Sequence, residues 1–160
     1  MARSRIIGTG SFVPQRILSN NELERIVETN DEWITRRTGI KERRIASKGK
    51  RESTTDLATQ AAESALRMAG VNAEDLDMIV VGTVTPDRQF PSTGCMLQTA
   101  IGASQAAAFD VSAGCSGFLY ALTMADNAIR AGTSRCALVV GAERLSTIVN
   151  WQDRSTCVLL

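Results

Sequence analysis

The chain has 160 residues, a net charge of +1, 44% apolar and 22% charged residues, and no histidine. That length is enough for a domain that buries about 70% of its unfolded surface, and the composition is ordinary for a globular protein. Near-neutral charge and 4% aromatics argue against nucleic acid as a partner, which calls for a basic field or stacking rings.

The first residues, Met1-Ala2-Arg3-Ser4-Arg5, are basic, but only Ile6-Ile7 follow before Gly8. No apolar h-region forms, so a signal peptide is not expected. No apolar run approaches the ~18 residues that a membrane span needs. Gly8-Thr9-Gly10 is expected to follow a short strand. It lacks the third glycine and the helix start of a dinucleotide loop.

Ser19-Asn20-Asn21-Glu22 is a capping box, and Leu23, Ile26 and Val27 mark one face of the helix it opens. Asn30 or Asp31 caps a second short helix through Trp33 and Arg37, stopped by Gly39. Thr55 to Ala69 carries an apolar stripe (Leu57, Ala58, Ala61, Ala62, Ala65, Leu66) and ends at Gly70. Met78-Ile79-Val80-Val81-Gly82 is a continuous apolar run, as in a strand covered on both faces. Pro91-Ser92 opens a helix to about Gly102. A strand follows over Ala107 to Val111, then a long helix after Cys115, then a second Ile-Val-Val-Gly-like run at Ala137-Leu138-Val139-Val140-Gly141. Alternating helices and buried strands predict an α/β domain with a mainly parallel sheet.

Ala113-Gly114-Cys115-Ser116-Gly117 is a tight turn between strand and helix. It puts the Cys115 thiol where unpaired helix N–H groups and the positive end of the helix dipole converge. That setting favours negative charge on sulfur, and the thiolate is the form that attacks carbonyls. With no histidine, the chain supplies no general base of the usual kind. Cys115 therefore reads either as a nucleophile or as one more small core residue. The other three cysteines, Cys95, Cys136 and Cys157, lie in apolar patterns and read as core. Their spacing suits neither a zinc site nor a disulfide framework, and fits a reducing cytosol.

Arg36, Arg37, Lys41, Arg43, Arg44, Lys48, Lys50 and Arg51 are eight of the 18 basic residues. They form either a solvated loop or a landing site for phosphates or an acidic partner. Trp33 beside them suits core packing, or stacking on a base.

Two features point to an incomplete fold. The helix after Cys115 is apolar over about two-thirds of its circumference (Phe118, Leu119, Ala121, Leu122, Met124, Ala125, Ala128, Ile129), more than one sheet needs. It is expected to be buried between two layers. Cys157-Val158-Leu159-Leu160 reads as the start of a strand.

Several segments together resemble the β-ketoacyl-acyl-carrier-protein synthase III family. These are Ile6-Ile7-Gly8-Thr9-Gly10-Ser11-Phe12-Val13-Pro14, Thr29-Asn30-Asp31-Glu32-Trp33-Ile34, Arg37-Thr38-Gly39-Ile40, Phe90-Pro91-Ser92, Phe109-Asp110-Val111 through Cys115-Ser116-Gly117-Phe118, and Asp153-Arg154-Ser155-Thr156. The resemblance runs in order along essentially the whole chain. It implies a thiolase-like layered α/β fold of two similar halves, with residues 1–160 as the N-terminal half. The family's Gly-Asp-Gly-Ala-Gly segment and its catalytic histidine and asparagine would follow later, in a C-terminal half that this one needs.

The resemblance further implies an acyltransferase that initiates fatty acid biosynthesis. Cys115 would take an acyl group, acetyl by default, from an acyl-coenzyme A and pass it to malonyl-acyl-carrier protein by decarboxylative condensation. Both thioesters are substrates, and no cofactor or metal is implied. Thr29, Trp33, Arg37 and Arg154 would bind coenzyme A, with Trp33 and Arg154 holding the adenine. Phe90 would shape the acyl pocket of the partner subunit in a homodimer, and Leu145 would line the pocket near the thiol. The remaining basic residues would help acyl-carrier protein dock, the location would be the cytoplasm, and the isolated half is expected to be inactive. The alternatives are a related synthase of secondary metabolism, a cysteine hydrolase with a degenerate nucleophile elbow, and a non-catalytic half domain.

Overall fold

Three apolar runs, one of them broken by Asp110, pair as a parallel sheet in a computed structural model that describes residues 3–47 and 52–159. They are β3 (Met78–Gly82), β4 (Ala107–Val111) and β5 (Ala137–Gly141), in the order β4-β3-β5. Val80 pairs with Phe109 on one side and with Val139 on the other. The central strand is fully enclosed, with Ile79, Val80 and Val81 all buried. Successive side chains point to opposite faces of a strand. Ile79 and Val81 join Ala58 and Ala62 of α3 (Thr54–Ala69) and Leu97 of α4 (Thr93–Ile101) in one core cluster. On the other face runs α5 (Gly117–Ala131), packed along β3 and β5.

The chain divides into two compact units. This sheet with α3, α4 and α5 forms the first, Met1–Phe12 with Ser53–Glu143. Ser53 and Ser92 cap α3 and α4, and Gly70, Gly102 and Gly132 end the three helices with positive φ. Ile6 and Ile7 lie in extended chain outside any strand, contrary to the sequence expectation. Gly8 and Gly10 lie flat on α3. A Cβ on Gly8 would meet the Ala65 carbonyl oxygen at 2.4 Å, and one on Gly10 would meet that of Ala61 at 2.2 Å. Close packing on a helix therefore accounts for the Gly-Thr-Gly pattern.

The second unit is Val13–Glu52 with Arg144–Leu160. Its elements are β1 (Ile17–Ser19), α1 (Asn20–Leu23), α2 (Asp31–Thr38), β2 (Glu42–Arg44) and α6 (Arg154–Cys157). The Ser19–Glu22 capping box forms as expected, but the helix it opens is only four residues long. Asn30 and Gly39 bound α2. The β1–β2 antiparallel pair, with Leu18 opposite Arg43, was not visible in so charged a segment. Leu18, Leu23, Ile34, Cys157 and Val158 form the core of this unit.

The strand expected from Cys157 onward does not form: Val158 and Leu159 lie in a turn, and Cys157 is the last residue of the helical turn α6. Asp153 caps it by accepting from the Ser155 N–H at 2.9 Å, and local capping overrides β-propensity there. Leu160, like Met1, Ala2, Lys48, Lys50 and Arg51 of the basic cluster, lies outside the described residues.

Candidate active site

Val111 ends β4, and the chain turns through Gly114–Ser116, a single 3-10 turn, directly into α5. Gly114 takes φ 52°, a left-handed conformation that glycine adopts without strain. The Ser116 N–H bonds back to the Ala113 carbonyl at 3.1 Å, which closes the corner. Cys115 sits at its apex with its residue exposed, whereas Cys95 and Cys136 are half-buried and Cys157 is buried. Burial pushes the Cys136 and Cys157 thiols above their ordinary range, with Asp77 and Asp75 adding to the shift at Cys136 and Asp153 to that at Cys157. Those two read as structural thiols. All four cysteines are free.

What seats the corner is close backbone contact. Gly82, the last residue of β3, lies against Gly117, the first of α5. A Cβ on Gly82 would come 2.7 Å from the Gly117 carbonyl carbon and 2.8 Å from the Phe118 nitrogen. From there α5 turns small residues to the sheet, burying Gly117, Ala121 and Ala125 at four-residue spacing. Its second apolar side, with Phe118, Leu119, Tyr120 and Met124, is exposed in this chain.

Asp110 of β4 has a role that its apolar context in the sequence did not reveal. Its carboxylate accepts from the Thr93 and Gly94 N–H groups at 2.8 and 2.7 Å, so the strand that leads into the Cys115 turn also caps α4. Gly94 permits the approach, because a Cβ there would lie 2.9 Å from the Phe109 backbone. Phe90, three residues before α4, is 88% exposed.

The remaining site residues predicted from the sequence lie in the second unit. Trp33 is half-buried at the edge of the core cluster there. The Arg37 and Arg154 guanidinium carbons lie 5.0 and 4.7 Å from its ring centroid, within cation–π range. Arg154 also donates to the Glu28 carbonyl at 3.3 Å, next in sequence to Thr29. The Thr29 hydroxyl oxygen is shielded from solvent and has no hydrogen-bond partner among the described residues. Thus the indole and two cations gather on one patch that Arg154 ties to the Glu28-Thr29 segment. Leu145 opens a 3-10 turn over Leu145–Thr147 and is 36% exposed. Trp151, for which the sequence offered no role, donates its indole N–H to the Ser146 carbonyl at 3.2 Å and so fixes that turn.

Arg43 departs from the surface reading of the basic cluster. It is 6% exposed, and its guanidinium donates to Asn20 Oδ1 at 2.8 Å and to the Val158 carbonyl at 3.4 Å. Arg36, Arg37, Lys41 and Arg44 remain exposed, with Arg44 near Glu42 at 3.8 Å.

A family model described as 3-oxoacyl-[acyl-carrier-protein] synthase III matches residues 109–160, from the Asp110 strand through the Cys115 turn to α6. The β-ketoacyl-[acyl-carrier-protein] synthase III of Caldanaerobacter subterraneus subsp. tengcongensis is 58% identical over 154 residues, covering 96% of this chain and 46% of that protein. Along nearly its whole length the chain is similar to β-ketoacyl-acyl-carrier-protein synthase III proteins.

The fold agrees with this similarity. The crystal structure of the synthase III from Aquifex aeolicus VF5 superposes with a TM-score of 0.93 at 55% identity, covering 96% of this chain and 49% of that one. The priming β-ketosynthase of the R1128 polyketide pathway superposes at 0.89 with 37% identity, covering 94% and 45%. The thiolase-like α/β class expected from the sequence is therefore the observed one. The chain spans about half the length of the curated relatives it matches. Among the described residues, no helix is long and apolar enough to cross a membrane.

Proposed function

We propose that the chain is the N-terminal half of a β-ketoacyl-acyl-carrier-protein synthase III, and that Cys115 is its acyl-carrying nucleophile. The observation that supports this most is the placement of Cys115 as an exposed thiol at the strand-to-helix corner of a chain 58% identical to a synthase III. The Cys115 sulfur attacks the thioester carbonyl of an acyl-coenzyme A. The tetrahedral oxyanion collapses with loss of coenzyme A thiolate, which takes a proton, and an acyl-Cys115 thioester remains. Malonyl-acyl-carrier protein then loses carbon dioxide. The resulting carbanion attacks the acyl carbon and expels the Cys115 sulfur, giving β-ketoacyl-acyl-carrier protein. Both steps pass through an oxyanion, for which the Cys115 N–H at the helix start is a suitable donor. The second donor and the groups that promote decarboxylation belong to the C-terminal half.

The coenzyme A moiety is assigned to Thr29, Trp33, Arg37 and Arg154. An indole carrying two guanidinium groups presents both a face for a purine and charges for phosphates. Phe90 and Leu145 are assigned to the acyl pocket, Phe90 by way of a homodimer partner. The reaction needs no metal or other cofactor, since its two thioesters carry the activation. The place of action is the cytoplasm, and the 160-residue chain alone is inactive.

The priming β-ketosynthase among the structural relatives supports a second reading, in which the same chemistry starts a secondary-metabolite chain. Starter selectivity separates the two. The test is to mix the full-length protein with acetyl-coenzyme A and analyse the Cys115 peptide by mass spectrometry. An acetyl group that persists until malonyl-acyl-carrier protein is added supports condensation. Rapid hydrolysis supports a cysteine hydrolase, and absence of label supports a non-catalytic half.

A further inference from the structure

The segment between β3 and α4, residues 83–92, has no regular structure, yet carboxylates grip it at three places. At its start, Glu143, just beyond β5, accepts from the Val84 N–H at 2.8 Å and from the Thr83 hydroxyl at 3.3 Å, and it also bonds the Thr85 hydroxyl. In its middle, Asp87 reaches the start of α3, accepting from the Thr54 and Thr55 N–H groups at 2.9 Å each. The Thr54 hydroxyl returns a bond to the Thr85 carbonyl at 2.6 Å. At its end, Asp110 accepts from the Thr93 and Gly94 N–H groups.

The same device therefore occurs twice. A capping serine, Ser53 or Ser92, takes the third N–H of its helix, while a carboxylate from another segment takes the first two. Saturation of free helix N–H groups by ionised acceptors gives short, charge-assisted bonds. The helix ends do not need a second cap for their own formation, since the serines supply one. What the added carboxylates accomplish is to fix the segment between the helices. That segment carries Phe90, a large apolar side chain left 88% exposed. Holding such a ring in water on an anchored loop fits a side chain that presents itself to something outside its own unit.

We propose that Asp87, with Asp110, is a positioning residue that fixes Phe90 and thereby sets the acyl-chain selectivity of the enzyme. The inference rests on the assignment of Phe90 to the acyl pocket. Neither carboxylate needs to touch substrate. Each acts by limiting where the ring can sit, and a small shift of a pocket wall is read as discrimination between acyl chains that differ by one or two methylenes.

The test uses the full-length enzyme and compares Cys115 acylation rates with acetyl- and butyryl-coenzyme A. Asp87→Ala is expected to change the butyryl-to-acetyl ratio by about tenfold, and Asp87→Asn, which keeps one acceptor oxygen, by less. Asp56→Ala removes the carboxylate that accepts the Ser53 N–H at 3.0 Å, which weakens the same end of α3 while leaving the bonds to Asp87 in place, and is expected to lower the melting temperature while leaving the ratio as in the unaltered enzyme. A ratio unchanged in both Asp87 variants, or moved equally by Asp56→Ala, overturns the inference. If the unaltered enzyme fails to acylate Cys115 at all, the functional reading falls, and this inference falls with it.

Discussion

Gly82 and Gly117 meet backbone to backbone, and this contact sets the Cys115 corner on the sheet. The Gly82 Cβ that any other residue would carry falls 2.7 Å from the Gly117 carbonyl carbon, whereas a Cβ on Gly117 would lie 3.4 Å from the Gly82 Cα. The first distance requires the backbone to move, and the second is close to ordinary contact. Gly82→Ala is therefore expected to destabilise the protein by about 1–3 kcal/mol. It should also lower the Cys115 acylation rate, because the helix start that carries the thiol is displaced. Gly117→Ala should do less of both. Thermal denaturation and acetyl labelling of the two variants check the order.

The Trp33 patch makes a prediction that separates binding from chemistry. Arg154 already lies over the indole at 4.7 Å, so a purine that stacks there must displace the guanidinium. Trp33→Ala is expected to raise KM for acetyl-coenzyme A about tenfold. The same variant should use acetyl-pantetheine, which lacks the nucleotide, as well as the unaltered enzyme does. Quenching or shift of Trp33 fluorescence by coenzyme A, abolished in Trp33→Ala, supplies an independent readout.

The Asp87 carboxylate gives a pH dependence with a definite sign. Partial shielding from water pushes its pKa up, but hydrogen bonds from Thr55 and Thr54 outweigh this and hold it below the usual aspartate range. A group lowered in the folded state stabilises the fold in full above its unfolded pKa, near ~3.9. That contribution is lost as pH falls through the lower folded value. Melting temperature should thus drop between about pH 4 and pH 2, and the drop should be shallower in Asp87→Asn. Parallel thermal melts across that range test the difference.

Arg43 is expected to behave as a core residue despite its charge. Its removal leaves Asn20 Oδ1 and the Val158 carbonyl without their donor inside the second unit. Arg43→Ala should cost about 3 kcal/mol of stability. The exposed Arg36→Ala should cost under about 0.5 kcal/mol, and chemical denaturation of the two variants reads the contrast.

These residues also mark what was legible in the sequence. Helix starts at Ser19, Asn30 and Ser92, and helix ends at Gly39, Gly70 and Gly102, follow local rules that act within a few residues. The three parallel strands and the Cys115 turn are equally plain, because a short apolar run followed by a glycine corner has few other solutions. What local rules do not reveal is nonlocal. Asp87 caps a helix 33 residues earlier in the chain, and Asp110 one that starts 17 residues earlier. An aspartate inside the apolar run Ala107–Val111 was the available signal for the second. Gly8, Gly10 and Gly82 are explained by what lies across from them, which spacing alone does not reveal. The basic cluster misled because charge says nothing of register, and pairing with Leu18 turns Arg43 inward between two exposed neighbours.

The most direct measurement is acetylation of Cys115 in the full-length protein, followed at peptide level by mass spectrometry and compared with Cys115→Ser. One acetyl group is expected on the Cys115 peptide after acetyl-coenzyme A, then its discharge by malonyl-acyl-carrier protein with release of carbon dioxide, and neither event at a normal rate in the serine variant. An acetyl group found on another cysteine, or condensation that proceeds undiminished in Cys115→Ser, would contradict the role assigned to Cys115.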